Sequence, residues 1–171
     1  MNEIINEAVF APLANVAEPK WWTGTPAIDP ARFVIDGHEY RVAGRPLTPS
    51  DELSARMRQT FEDVGLVHVI NTGLDDLESM RLIATQVPIN QRKYEGGANP
   101  RKTLQANVFE VGAPLEAWLH YHHEMAYIGS STKMIGFLAH KLPSKGGATF
   151  VSDNVQATTD LLATPFGQKL K

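Results

Sequence analysis

His120-Tyr121-His122-His123-Glu124-Met125-Ala126-Tyr127 is the run in which this chain concentrates metal-ligand chemistry, and its reading decides the fold to expect. On an extended backbone successive side chains alternate faces, so His120, His122 and Glu124 point one way and Tyr121, His123 and Met125 the other. A His-x-Glu pair therefore lands on one face. An imidazole and a carboxylate two residues apart on a strand can take adjacent positions around one ion. A third ligand from elsewhere would complete the 2-His-1-carboxylate arrangement that suits non-haem Fe(II) and leaves positions open for a co-substrate and oxygen. Taken alone, the pair also fits a half-buried histidine beside an edge-strand charge, because ionisable groups are often structural.

Downstream, Gly146-Gly147-Ala148-Thr149 places Thr149 27 residues beyond His122. Together the two motifs resemble the taurine dioxygenase and clavaminate synthase-like family of Fe(II)/2-oxoglutarate enzymes, whose pattern reads H-x-E-M-x-Y or H-x-D, then a strand, then G-G-x-T. The resemblance implies an α+β, mainly β, fold: a double-stranded β-helix (jelly roll), incomplete here, with flanking helices. It implies His122 and Glu124 as two iron ligands and Thr149 as a hydroxyl contacting a carboxylate of 2-oxoglutarate. Fe(II) and 2-oxoglutarate are then the expected cofactors, and hydroxylation or a related C–H oxidation of a small molecule is the expected reaction, coupled to decarboxylation of 2-oxoglutarate to succinate. A carboxylate at position 124 argues against the halogenating branch, where a small residue makes room for halide.

In that family the loop before the His-x-Glu strand helps line the active site, so Tyr94, Arg101 and Asn107 become candidate substrate neighbours. His120 shares the ligand face and is a candidate support for the ligands, whereas His123 faces away. The same run read as His120-x-His122 with Glu124 resembles a cupin metal site, although in that pattern the Glu lies further along. The resemblance covers roughly residues 40 to 171. The family's distal iron-binding His and its following Arg have no counterpart, since no histidine follows His140 and no arginine follows Arg101. The chain is therefore expected to be the N-terminal half of such a domain, with the C-terminal half missing, or else a non-catalytic binding or structural remnant whose open sheet edge invites association, for instance as a homo-oligomer.

Composition bounds the alternatives. With 171 residues, 43% hydrophobic and 20% charged, the chain suits one globular domain. A formal net charge of −3 gives no electrostatic case for nucleic acid or an anionic membrane. The absence of cysteine excludes disulfides, thiol catalysis and Cys-ligated zinc. The first seven residues are acidic where a signal peptide needs positive charge, and no apolar run approaches the ~20 residues of a membrane span. A cytoplasmic, soluble protein is the expectation.

Working outward along the chain, residues 1–31 read as an N-terminal arm anchored by Trp21 and Trp22, with the partial dioxygenase-like domain over 32–171. Arg32–Val42 reads as a hairpin turning at Asp36-Gly37, which leaves His38 exposed. Thr48-Pro49-Ser50-Asp51 carries a helix start, with a hydroxyl or a carboxylate as cap, and the helix carries Leu53, Met57, Phe61 and Val64 and is stopped by Gly65. Leu66–Ile70 is a short strand, and residues 75–87 form a second helix ended by Pro88. His68 reads as a satisfied core histidine. Lys133–Leu142 reads as a strand buried on both faces, and Ser152-Asp153-Asn154 caps a third helix running roughly to Ala163 with Val155, Thr159 and Leu162 inward.

Overall fold

The computed structural model describes residues 28–87, 101–105, 108–110, 120–124, 126, 133–142, 144 and 149–170. Trp21, Trp22, Tyr94, Asn107, Gly146 and Gly147 lie outside these residues. Three helices form where local chemistry starts and stops them. Ser50 caps α1 (Asp51–Val64) by accepting from the Leu53 N–H at 3.2 Å, and Asp51 and Glu52 set negative charge against the positive helix end. Gly65 stops it at φ 78°, a left-handed conformation that glycine adopts without steric cost. Asp76 caps α2 (Leu77–Ala84) through the Ser79 N–H at 2.8 Å. Asp153 caps α3 (Asn154–Ala163), accepting from Val155 and Gln156 at 3.0 Å each.

Strand β1 (Val34–Asp36) pairs in parallel with β2 (His68–Ile70), Val34 opposite His68 and Asp36 opposite Ile70. A parallel pair needs a crossover, and α1 supplies it. The Asp36-Gly37 hairpin expected from sequence is therefore absent. A two-residue turn of that kind needs positive φ at both central residues. Asp36 has φ −80°, Gly37 is not among the positive-φ glycines, and the chain instead enters a 3-10 turn over Gly37–Glu39. Asp36 accepts from the His38 N–H at 2.9 Å, the His38 ring at 3.1 Å and the Asn71 amide at 3.1 Å, binding the ends of both strands together. Partial burial pushes its carboxyl up, but these hydrogen bonds outweigh burial and hold the acid below the usual carboxylate range. Gly37 is required for a second reason: a Cβ there would lie 2.8 Å from the Ile70 carbonyl oxygen.

The core is built by α1, α2 and this parallel pair. Ile35, Leu47, Leu53, Met57, Ile83 and Val87 are buried together, with Tyr40, Phe61, Val67, Val69, Leu74 and Met134 packed against them. Each fully buried aliphatic side chain of this kind contributes about 1.5–3 kcal/mol. Leu47 is fixed by its backbone as well, its N–H donating to the Thr72 carbonyl at 2.8 Å. The hydroxyl of buried Ser54 lies 2.6 Å from Gln86 Oε1, joining α1 to the end of α2.

The jelly roll is not what the chain forms among the described residues. Its strands make two separate two-stranded sheets, β1–β2 and the antiparallel β3 (Thr103–Gln105) with β4 (Val108–Phe109), and helix outweighs strand. A jelly roll closes eight strands into two facing sheets, whereas these strands are two or three residues long. The apolar run 133–142 does not supply another: it is irregular, and Ile135, Phe137 and Leu142 are exposed. Only its Met134 reaches the core, and His140 holds the run in place by donating from Nε2 to the Asp75 carbonyl at 3.0 Å. Helix α3 likewise buries none of its residues; Val155 and Thr159, expected inward, are exposed. Among the described residues no helix is long and apolar enough to cross a membrane.

His68 is half-buried on β2, and desolvation holds its imidazole below the ordinary value of ~6.5. Between that depressed value and ~6.5 the unfolded chain takes up a proton that the folded chain refuses, so stability is full above this window and falls as pH drops through it. His68→Gln is expected to flatten this part of the profile. Urea midpoints from pH 7.5 to 5 check it, and parallel profiles for both proteins would rule the imidazole out as the source.

Candidate metal centre

The structure brings together three of the residues singled out from sequence: Arg101, His122 and Glu124. His122 Nε2 lies 3.5 Å from Glu124 Oε2. Arg101 donates from a guanidinium nitrogen to the other carboxylate oxygen, Oε1, at 2.6 Å. The ring of His122 is fixed from its other side, Nδ1 standing 2.8 Å from the backbone carbonyl of His120. A carbonyl oxygen only accepts, so Nδ1 carries a proton, and in the neutral form of such a ring Nε2 holds the lone pair. Glu124 Oε2 is also an acceptor once ionised. Two chemistries fit a 3.5 Å approach: a second ring proton on Nε2 makes an imidazolium–carboxylate ion pair, and a neutral ring beside an ionised carboxylate sets two acceptors that can share a cation.

The spacing fits one. Two donors each ~2.1 Å from a common ion lie roughly 3.0 Å apart at an octahedral right angle and roughly 3.4 Å apart at a tetrahedral one. Imidazole nitrogen with carboxylate oxygen is a donor set that suits Fe(II) and zinc. A backbone carbonyl behind the ligating ring is the usual device for holding such a ring in one tautomer. The pair opens to solvent, with the His122 side chain 57% exposed and that of Glu124 20%. Among the described residues no group of three His, Asp or Glu side chains converges, so His120, His122 and Glu124 do not form the three-ligand cluster of the cupin reading. His120 contributes through its backbone carbonyl, and its side chain is exposed.

The remaining expected residues divide. Thr149 is exposed and, among the described residues, makes no hydrogen bond to His122 or Glu124. Tyr94 and Asn107 fall outside the described residues. Sequence reading put Arg101 beside a substrate; the structure puts it on Glu124, 23 positions away, a pairing that no local spacing announces. It also missed Asn154, whose amide Nδ2 donates to His123 Nε2 at 2.9 Å from 31 positions away. A hollow of about 430 Å³ opens elsewhere, beside β1, lined by Asp36, Glu39, Tyr40, Arg56 and Ile70 among others, and contains none of the expected site residues.

Compared with known proteins, the chain matches no family model, no curated protein and no solved structure.

Proposed function

We propose that His122 and Glu124 hold a divalent metal ion and that the chain contributes this pair to an Fe(II)- and 2-oxoglutarate-dependent oxygenase acting on a small molecule. The observation that carries the metal reading is the 3.5 Å approach of His122 Nε2 to Glu124 Oε2, a spacing at which a neutral imidazole and a carboxylate can share one ion. The motif H-H-E-M-A-Y with Gly146-Gly147-Ala148-Thr149 supports iron and 2-oxoglutarate over other metals and co-substrates. When bound, Fe(II) would supply oxygen activation coupled to oxidative decarboxylation of the keto acid.

The chain's own groups do the rest. The His120 carbonyl keeps the Nε2 lone pair of His122 directed outward. Arg101 occupies Glu124 Oε1, so the carboxylate offers a single oxygen, Oε2, and its position is set by a charge-assisted bond. Thr149 is the hydroxyl assigned to a carboxylate of 2-oxoglutarate. Exposure of His122 leaves room on the solvent side for a co-substrate and a further ligand.

Anaerobic titration of the full chain with Fe(II), with and without 2-oxoglutarate, tests this. A visible charge-transfer band is expected only when both are present. Metal binding indifferent to the keto acid would keep the metal pair and remove the oxygenase assignment; no binding would remove both.

A further inference from the structure

We propose that Asn154 is a positioning residue for the metal pair, docking α3 onto the 120–124 segment through His123; the inference rests on reading His122 and Glu124 as metal donors. Hydrogen bonds from within that segment and from two other parts of the chain meet on it. The His120 carbonyl holds His122, Arg101 holds Glu124, and Asn154 holds His123. Residues 120–124 form no strand, Glu124 standing in a turn, and Asn154 reaches them through His123 and not through either proposed donor.

The other end of this contact is unusual. Helix α3 buries no residue and packs chiefly on the 3-10 turn Gly167–Lys169 that follows it. A ten-residue helix is marginal in water unless something outside it holds it. Asn154, in its first turn and half-buried, is where it meets the metal segment. Coupling is reciprocal: if the Asn154–His123 bond favours the arrangement in which His122 and Glu124 share an ion, then an ion on that pair favours the docked helix by the same factor.

The experiment reads both directions, using Co(II) as the probe and the full chain. Apparent Co(II) affinity is measured by titration, and amide exchange across residues 155–163 is followed by mass spectrometry with and without the metal. In the unsubstituted protein Co(II) is expected to slow α3 exchange by roughly two- to tenfold, the range one ordinary hydrogen bond supports. Asn154→Ala should abolish that response and weaken Co(II) binding by a similar roughly two- to tenfold factor. The helix itself tolerates the change, because alanine is the best helix former and the Asp153 cap is untouched. Asn154→Asp should restore both readouts, since a carboxylate at that position accepts from an Nε2–H of His123 and suits the positive helix end.

Equal Co(II) affinity and an unchanged exchange response in Asn154→Ala would overturn the proposal. So would Co(II) binding in the unsubstituted protein without any change in α3, which leaves the metal pair standing. Failure of Co(II) to bind at all would take down the metal reading first, and this inference with it.

Discussion

Leu53→Ala is expected to lower unfolding stability by about 2–5 kcal/mol, measured from urea titrations. Leu53 is the most completely enclosed side chain among the described residues, with 0% of its surface exposed, and it sits in the first turn of α1, in one buried cluster with Ile35 of β1. Its neighbours cannot collapse into the space it leaves. Ile35 is locked in a paired strand, Leu47 by its bond to Thr72, and Met57 lies on the same helix face. The loss is a large share of the ~5–15 kcal/mol that separates folded from unfolded chains. A loss below ~1 kcal/mol would mean that the core relaxes far more freely than its packing indicates.

Glu124→Ala is expected to weaken divalent-metal binding by at least ~100-fold. Loss of a partner behind a ligand typically costs 10–100-fold, and loss of a ligand itself exceeds that. The variant removes Oε2, one of the two proposed donors, and takes the Glu124 carboxylate away from the Arg101 guanidinium, leaving that positive charge uncompensated by Glu124 near the ion. Both effects push the same way. His122→Ala should match it in size, whereas His120→Ala should leave binding nearly unchanged, because His120 acts through a backbone carbonyl that alanine retains. A large effect at His120 with little at Glu124 would transfer the site to a different donor set.

The helices were legible because their signals are local. Ser50, Gly65 and Asp153 act within one turn of where they stand, and each does what its chemistry announces. Sheet pairing was not legible, since it joins residues more than 30 positions apart: Asp36-Gly37 reads as a hairpin until β2 is seen alongside β1. The expected jelly roll failed for a related reason, because apolar runs such as 133–142 suit a strand by composition but find no partner strand among the described residues. At the metal pair, the two-residue spacing of His122 and Glu124 could be read directly. The groups that fix them could not, since Arg101 and Asn154 approach from 23 and 31 positions away.

The hydrophobic centre lies within residues 33–87 and draws only Met134 from the rest of the described chain. A ligand raises the melting midpoint only when the melting event releases it. The core among the described residues is remote in sequence from residue 122, so occupancy of the metal pair and resistance to heat are expected to be separable. A flat thermal shift in the presence of metal would describe the Phe33–Val87 body, not the affinity of His122 and Glu124. Regions of one protein open with their own free energies, and the one that matters for this site is local to residues 120–124.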